Sequence, residues 1–198
     1  MCGECMAEDE KRSADAENAA AESAASALST HTDNQLEEKL KRAHCLFTGC
    51  YNHGIDSKGR MIVPSAFREQ LGDTFYVAPT PDFQAIALYP VDEWLREQEM
   101  LQTLADADAR AQRFINQFSK YTYRDCETDA QGRLLLPQKL RTMYLKDARD
   151  VEISGAKTHI RIVDSAVGEE EDEAFRRDIP DPLSFIAELQ KQVKDNHN

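Results

Sequence analysis

One thirteen-residue pattern occurs twice in this chain, and any fold it adopts must accommodate both copies. DSKGRMIVPSAFR runs from Asp56 to Arg68 and DAQGRLLLPQKLR from Asp129 to Arg141. The copies share Asp56/Asp129, Gly59/Gly132, Arg60/Arg133, Pro64/Pro137 and Arg68/Arg141, each pair 73 residues apart, and three apolar residues precede each proline. Self-similarity at a fixed offset marks one supersecondary unit used twice. The Asp can bond the backbone of a turn, the Gly permits the turn, and the apolar triplet and Pro set a strand and the start of a helix. Those are scaffold roles, and none of them requires an arginine. Each arginine follows a turn or lies on a short helix, where a guanidinium can reach phosphate oxygens or the guanine edge in a major groove.

The overall charge of −12 looks hostile to nucleic acid, since affinity for DNA comes from Lys and Arg against phosphates. Its distribution removes the conflict. Residues 1–42 carry 5 basic and 10 acidic groups and residues 165–198 carry 4 and 9, so the two ends hold −10 of the −12. Within the repeats the sign reverses. Lys58, Arg60 and Arg68 against Asp56 give +2, and Arg133, Lys139 and Arg141 against Asp129 also give +2.

The pattern of residues predicts an α+β chain. Residues 1–42, rich in Ala, Glu and Ser, bury too little to offset chain entropy and read as a disordered acidic extension. A strand is expected from His44, a turn at Ser57–Gly59, a strand over Arg60–Val63, a helix over Ser65–Leu71 stopped by Gly72, and strands near 74–78 and 85–89. Helical spacing of Trp94, Leu95, Leu101, Leu104, Phe114 and Phe118 predicts one or two amphipathic helices over 91–120, broken near 106–108. The first unit then recurs as strands over 121–127 and 133–136, a helix over 137–145, and strands over 151–154 and 159–163. Beyond it lie the acidic run Glu169–Glu173 and a helical segment over 183–193. The expected division is 1–42 extension, 43–91 first domain, 92–119 connecting helices, 120–164 second domain and 165–198 acidic helical tail.

The paired motifs resemble those of the MraZ family of bacterial transcription regulators, built from two AbrB-like domains, over roughly residues 44–164. The resemblance implies a swapped-hairpin β fold made twice and a homo-oligomeric ring. It also implies binding to short direct repeats upstream of cell-division and cell-wall genes. It assigns DNA contact to Arg60 and Arg133, and Lys58 matches the family's first motif. Arg68 and Arg141 stand as companions, since a helix arginine can equally lock a turn or a subunit contact. For Arg60 and Arg133 the competing reading is a surface ion pair with Asp56 or Asp129.

Other chemistry finds little support. Five cysteines, at 2, 5, 45, 50 and 126, are odd in number and read as free thiols. His44, Cys45, Cys50 and His53 have ligand side chains, but on a continuous strand they split between two faces, and Cys2 and Cys5 lack a second pair. No phosphate loop, HExxH or Gly-x-Ser-x-Gly occurs, so neither an enzyme nor a cofactor is expected. No run of 18 apolar residues is present, and the amino terminus is acidic, which predicts a cytoplasmic, nucleoid-associated protein without membrane or small-molecule partners. The expected function is a sequence-specific DNA-binding regulator acting on double-stranded direct repeats as a homo-oligomer. The alternative is a ring-forming scaffold that no longer binds DNA.

Overall fold

The computed structural model describes residues 47–195. The expectations for the 1–42 extension, and for Cys2, Cys5, His44 and Cys45, lie outside the described residues. The described chain is a mixed α+β structure in which every strand pairing is antiparallel. Its first half forms β1 (Cys50–Gly54), β2 (Arg60–Ile62), α1 (Ser65–Leu71), β3 (Phe75–Pro79) and β4 (Ile86–Pro90). A helical hairpin follows, α2 (Val91–Ala107) and α3 (Ala109–Lys120). The series then recurs as β5 (Tyr123–Cys126), β6 (Arg133–Leu135), α4 (Gln138–Leu140), β7 (Asp150–Gly155) and β8 (Ile160–Asp164). Two helices, α5 (Ser165–Asp178) and α6 (Pro182–Asp195), close it.

Local chemistry accounts for the boundaries. Pro64 and Pro137 sit as the residues capping α1 and α4, with φ of −52° and −55°, so the ring sets the turn from strand into helix. Gly72 ends α1 at φ 83°, a left-handed conformation that suits glycine. The break between α2 and α3 falls at Asp108, which is extended and accepts a hydrogen bond from the Arg110 amide at 2.8 Å. The second copy of the motif helix departs from expectation. Only three residues are α-helical, and Arg141–Leu145 widen into a turn of π-helix ending at Lys146. The Glu169–Glu173 run lies within α5, whose Glu171 receives both terminal nitrogens of Arg161 at 2.7 and 2.8 Å. Attraction to a strand cation thus offsets part of the helix's own repulsion.

The two halves share their sheets. A six-stranded sheet runs β1-β7-β8-β4-β3-β5, and a separate ribbon pairs β2 with β6. The first strand of each half therefore pairs with the third strand of the other, β1 with β7 and β5 with β3. Exchanging the halves reverses the strand order and leaves it unchanged.

Both faces of the large sheet are covered, which explains why all five residues of β4 are buried. On one face Val77, Ile86, Leu88, Val151, Ile153 and Ile162 pack with Phe67, Leu71 and Leu140 and with the inner side of the ribbon, Met61, Val63, Leu134 and Leu136. On the other, Ala78, Ala87 and Tyr89 lie under the helical hairpin through Trp94, Leu101 and Phe118, with Tyr76 and Phe118 rings stacked on Trp94. The ribbon shows the period-two rule directly. Met61 is 1% exposed while its neighbour Ile62 is 46% exposed. Met61→Ala is therefore expected to cost about 2–5 kcal/mol by urea unfolding, and Ile62→Ala under about 0.5 kcal/mol. Equal losses would contradict this placement of the ribbon.

Candidate nucleic-acid interface

Each motif builds the same turn. The Asp56 carboxylate accepts from the amides of Lys58 and Arg60, both at 2.9 Å, and from Nε and Nη2 of Arg60 at 2.7 and 2.6 Å. The Gly59 amide donates to the Asp56 carbonyl at 2.8 Å. In the second copy Asp129 accepts from the amides of Gln131 and Arg133, both at 2.9 Å, and from Nε and Nη2 of Arg133, both at 2.7 Å. The ion pair that sequence reasoning set against DNA contact is thus present in both copies, and it is part of the turn. It leaves Nη1 of each arginine without a partner among the described residues. The side chains remain about 30% exposed.

These hydrogen bonds hold both carboxyls well below the usual range, each to about 2. At Asp56 the Arg60 amide contributes most, then its guanidinium; at Asp129 the order is reversed.

The two motifs lock each other. The Val63 amide donates to the Gly132 carbonyl at 2.9 Å and the Leu136 amide to the Gly59 carbonyl at 3.1 Å, extending the β2·β6 ladder at both ends. The turns therefore sit at opposite ends of the ribbon, four residue steps or about 13 Å apart along it. Arg141 of the second motif lies beneath Gly59 of the first, and Arg68 of the first lies beneath Gly132 of the second. A β-carbon at either glycine would collide with the guanidinium there, and both glycines have positive φ, 82° and 74°.

The structure thus brings the sequence-predicted residues together in two sets. Lys58, Arg60 and Arg141 gather at one end of the ribbon, and Arg133 and Arg68 at the other. Lys58 is exposed at the tip of its turn, and its side chain bonds to nothing among the described residues. The Arg68 and Arg141 guanidiniums each lie against the partner motif's turn. Between the ends, Arg60 faces Leu135 across the ribbon and Ile62 faces Arg133, all four on its outer side. Ile62 and Leu135, 46% and 60% exposed, were not singled out from sequence. Each is the middle residue of an apolar triplet whose outer two members point inward, so period-two alternation carried the signal. Cys50 and His53 lie on β1, the first exposed and the second half-buried. Among the described residues no group of three or more His, Cys, Asp or Glu is arranged to hold a metal. Among them, too, no helix is long and apolar enough to cross a membrane.

Two outcomes follow from this geometry. Gly132→Ala should lose ~1–2 kcal/mol from the left-handed backbone alone and displace Arg68, read by chemical denaturation; an unaffected midpoint would refute the lock. The lowered carboxyl pKa values give stability that is present above the unfolded value of roughly 3.9 and lost as pH falls through about 2. Replacing Asp56 and Asp129 by Asn should flatten the melting temperature profile between about pH 4 and 2 and leave its shape between pH 6 and 8 alone. Parallel profiles across the acid range would count against the turn geometry.

Comparison with known proteins agrees with the paired turns. A family model described as "MraZ protein, putative antitoxin-like" matches residues 46–115. The chain is 40% identical over 117 residues to the transcriptional regulator MraZ of Desulforamulus reducens, covering 59% of this chain and 80% of that protein. It is 39% identical over 127 residues to that of Caldanaerobacter subterraneus, 63% of this chain and 85% of the relative. To that of Moorella thermoacetica it is 34% identical over 143 residues, 72% and 95%. With the duplicated turn, the interleaved strands and relatives matched over most of their length, the chain belongs to the MraZ family of transcriptional regulators.

Proposed function

We propose that the chain is a sequence-specific DNA-binding regulator that presents the β2·β6 ribbon to duplex DNA, acting on short direct repeats upstream of cell-division and cell-wall genes. One observation carries this reading. The ribbon's outer face sets two arginines two residue steps, about 7 Å, apart along it beside two exposed apolar residues, while its inner face is anchored in the core. A two-stranded ribbon fits the major groove, which is about 12 Å wide. Ile62 and Leu135 can meet thymine methyls there, while the open edges of Arg60 and Arg133 meet phosphate or guanine. The carboxylates do not cancel the arginines in this reading; they hold each guanidinium in one orientation, so less freedom is lost on binding.

On the same reading, residues 43–91 and 120–164 are two AbrB-like domains of swapped-hairpin type, joined by 92–119 and followed by the acidic 165–198 segment. The exchanged pairings of β1 and β5 support this. The assembly is a homo-oligomeric ring that engages several repeats at once, which strengthens weak individual contacts. In support, α6 buries none of its residues and leaves Leu183, Phe185, Ile186 and Leu189 exposed. The protein is placed at the nucleoid by its ligand.

A second reading has its own observation: with Arg60 and Arg133 each held by a carboxylate, the motifs suffice as scaffold, and the chain forms a ring without binding DNA. Lys58 separates the two, because its side chain bonds to nothing among the described residues. Lys58→Ala should weaken binding to a duplex carrying the upstream repeats, lower the slope of log K against log salt by about 1 and leave the melting temperature unchanged. Arg60→Ala should weaken binding and lower the melting temperature together. No complex at any salt, or parent-like binding by both variants, would favour the scaffold.

A further inference from the structure

The ends of the ribbon are alike in their turns and unlike in what surrounds them. Beside the first turn lies a cavity of about 470 Å³ whose lining includes Asp56, Arg141, Lys146, Asp147 and Arg149. Three of those residues are cations, and none makes an ion pair among the described residues. Of the two acids, Asp56 is already engaged by Arg60, and Asp147 alone remains. Nε of Arg141 is shielded from solvent and has no hydrogen-bond partner among the described residues, which is costly for a guanidinium nitrogen unless something else completes it.

The backbone adds an independent sign. In the first half the motif helix ends at Gly72, at φ 83°. In the second half the corresponding exit follows a π turn and falls on Lys146, at φ 51°. A lysine therefore occupies a conformation that glycine would adopt without strain, and such outliers gather at functional sites. The stretches also differ in length and charge: Leu71-Gly72-Asp73-Thr74 leads into β3, while Leu145-Lys146-Asp147-Ala148-Arg149 leads into β7. Arg149 is held in place by its carbonyl, which accepts from the Ile55 amide at 2.7 Å, and that fixes it beside the first turn.

We propose that Lys146 and Arg149, with the Arg141 guanidinium behind them, form a pocket for one phosphodiester of the DNA backbone, so that the first-turn end of the ribbon holds a backbone contact that the second-turn end lacks. The proposal rests on the DNA-binding reading above. It gives each chain a polarity on DNA, which a head-to-tail series of direct repeats requires and a symmetric ribbon alone would not supply.

Lys146→Gly is the informative variant, because it relieves the backbone while removing the charge. It should leave the melting temperature unchanged or raise it, and weaken binding to the upstream-repeat duplex and to unrelated duplex DNA by the same factor. With Arg149→Ala added, the salt slope should become shallower by about 1 to 2. Lys191→Ala, on α6 outside the cavity, should not change it. If the parent binds DNA and Lys146→Gly with Arg149→Ala keeps its affinity and slope, the pocket is overturned while the DNA-binding reading stands. If the parent forms no complex, both fall. If inorganic phosphate raises the parent's melting temperature, the double variant loses that response, and DNA affinity is unaffected, the pocket takes free phosphate and the backbone assignment is overturned.

Discussion

The reciprocal lock across the β2·β6 ribbon is the interaction on which the rest of the structure depends. Neither motif is complete alone: each turn has the other motif's arginine beneath its glycine, and each strand of the ribbon finds its ladder partner in the other half. A three-residue strand is too short to persist by itself. Its inner residues must also be held against the large sheet, whose outer pairings are likewise exchanged between halves. Fold and motif duplication are thus one fact. A single copy would leave an unpaired ribbon strand, an unfilled turn and a half-built sheet.

The same arrangement explains how a chain with an excess of carboxylates can present arginine. In each turn one Asp gathers two backbone amides and two guanidinium nitrogens, so its charge is spent inside the loop. The turn is rigid for that reason, and the remaining edge of the arginine points from a fixed place. The Glu169–Glu173 run is placed elsewhere, within α5, where Arg161 engages it.

Much of this was legible in the residues. The Gly59 and Gly132 turns, the proline-to-helix steps and the α2–α3 break at Asp108 follow from local chemistry, and the structure places them within a residue or two of expectation. Three features were not legible, each because it depends on contacts distant in sequence. Arg68 and Arg141 could not be assigned, since the glycine each one fills belongs to the other copy. Ile62 and Leu135 do not stand out from the sequence because the whole triplet is apolar; only the anchoring of Met61 and Leu134 shows which face turns outward. The π turn and the left-handed Lys146 arise where the second copy carries extra residues before β7, and no motif marks them.

The central claim is that the outer face of the ribbon, rather than the helical hairpin, meets DNA. Site-specific crosslinking tests it most directly, with a photoreactive group placed in turn at Ile62 and Leu135 on the ribbon and at Leu104, exposed on α2. The account predicts covalent adducts with the repeat-bearing duplex from positions 62 and 135 and none from 104. Adducts from 104 with none from 62 or 135 would contradict it.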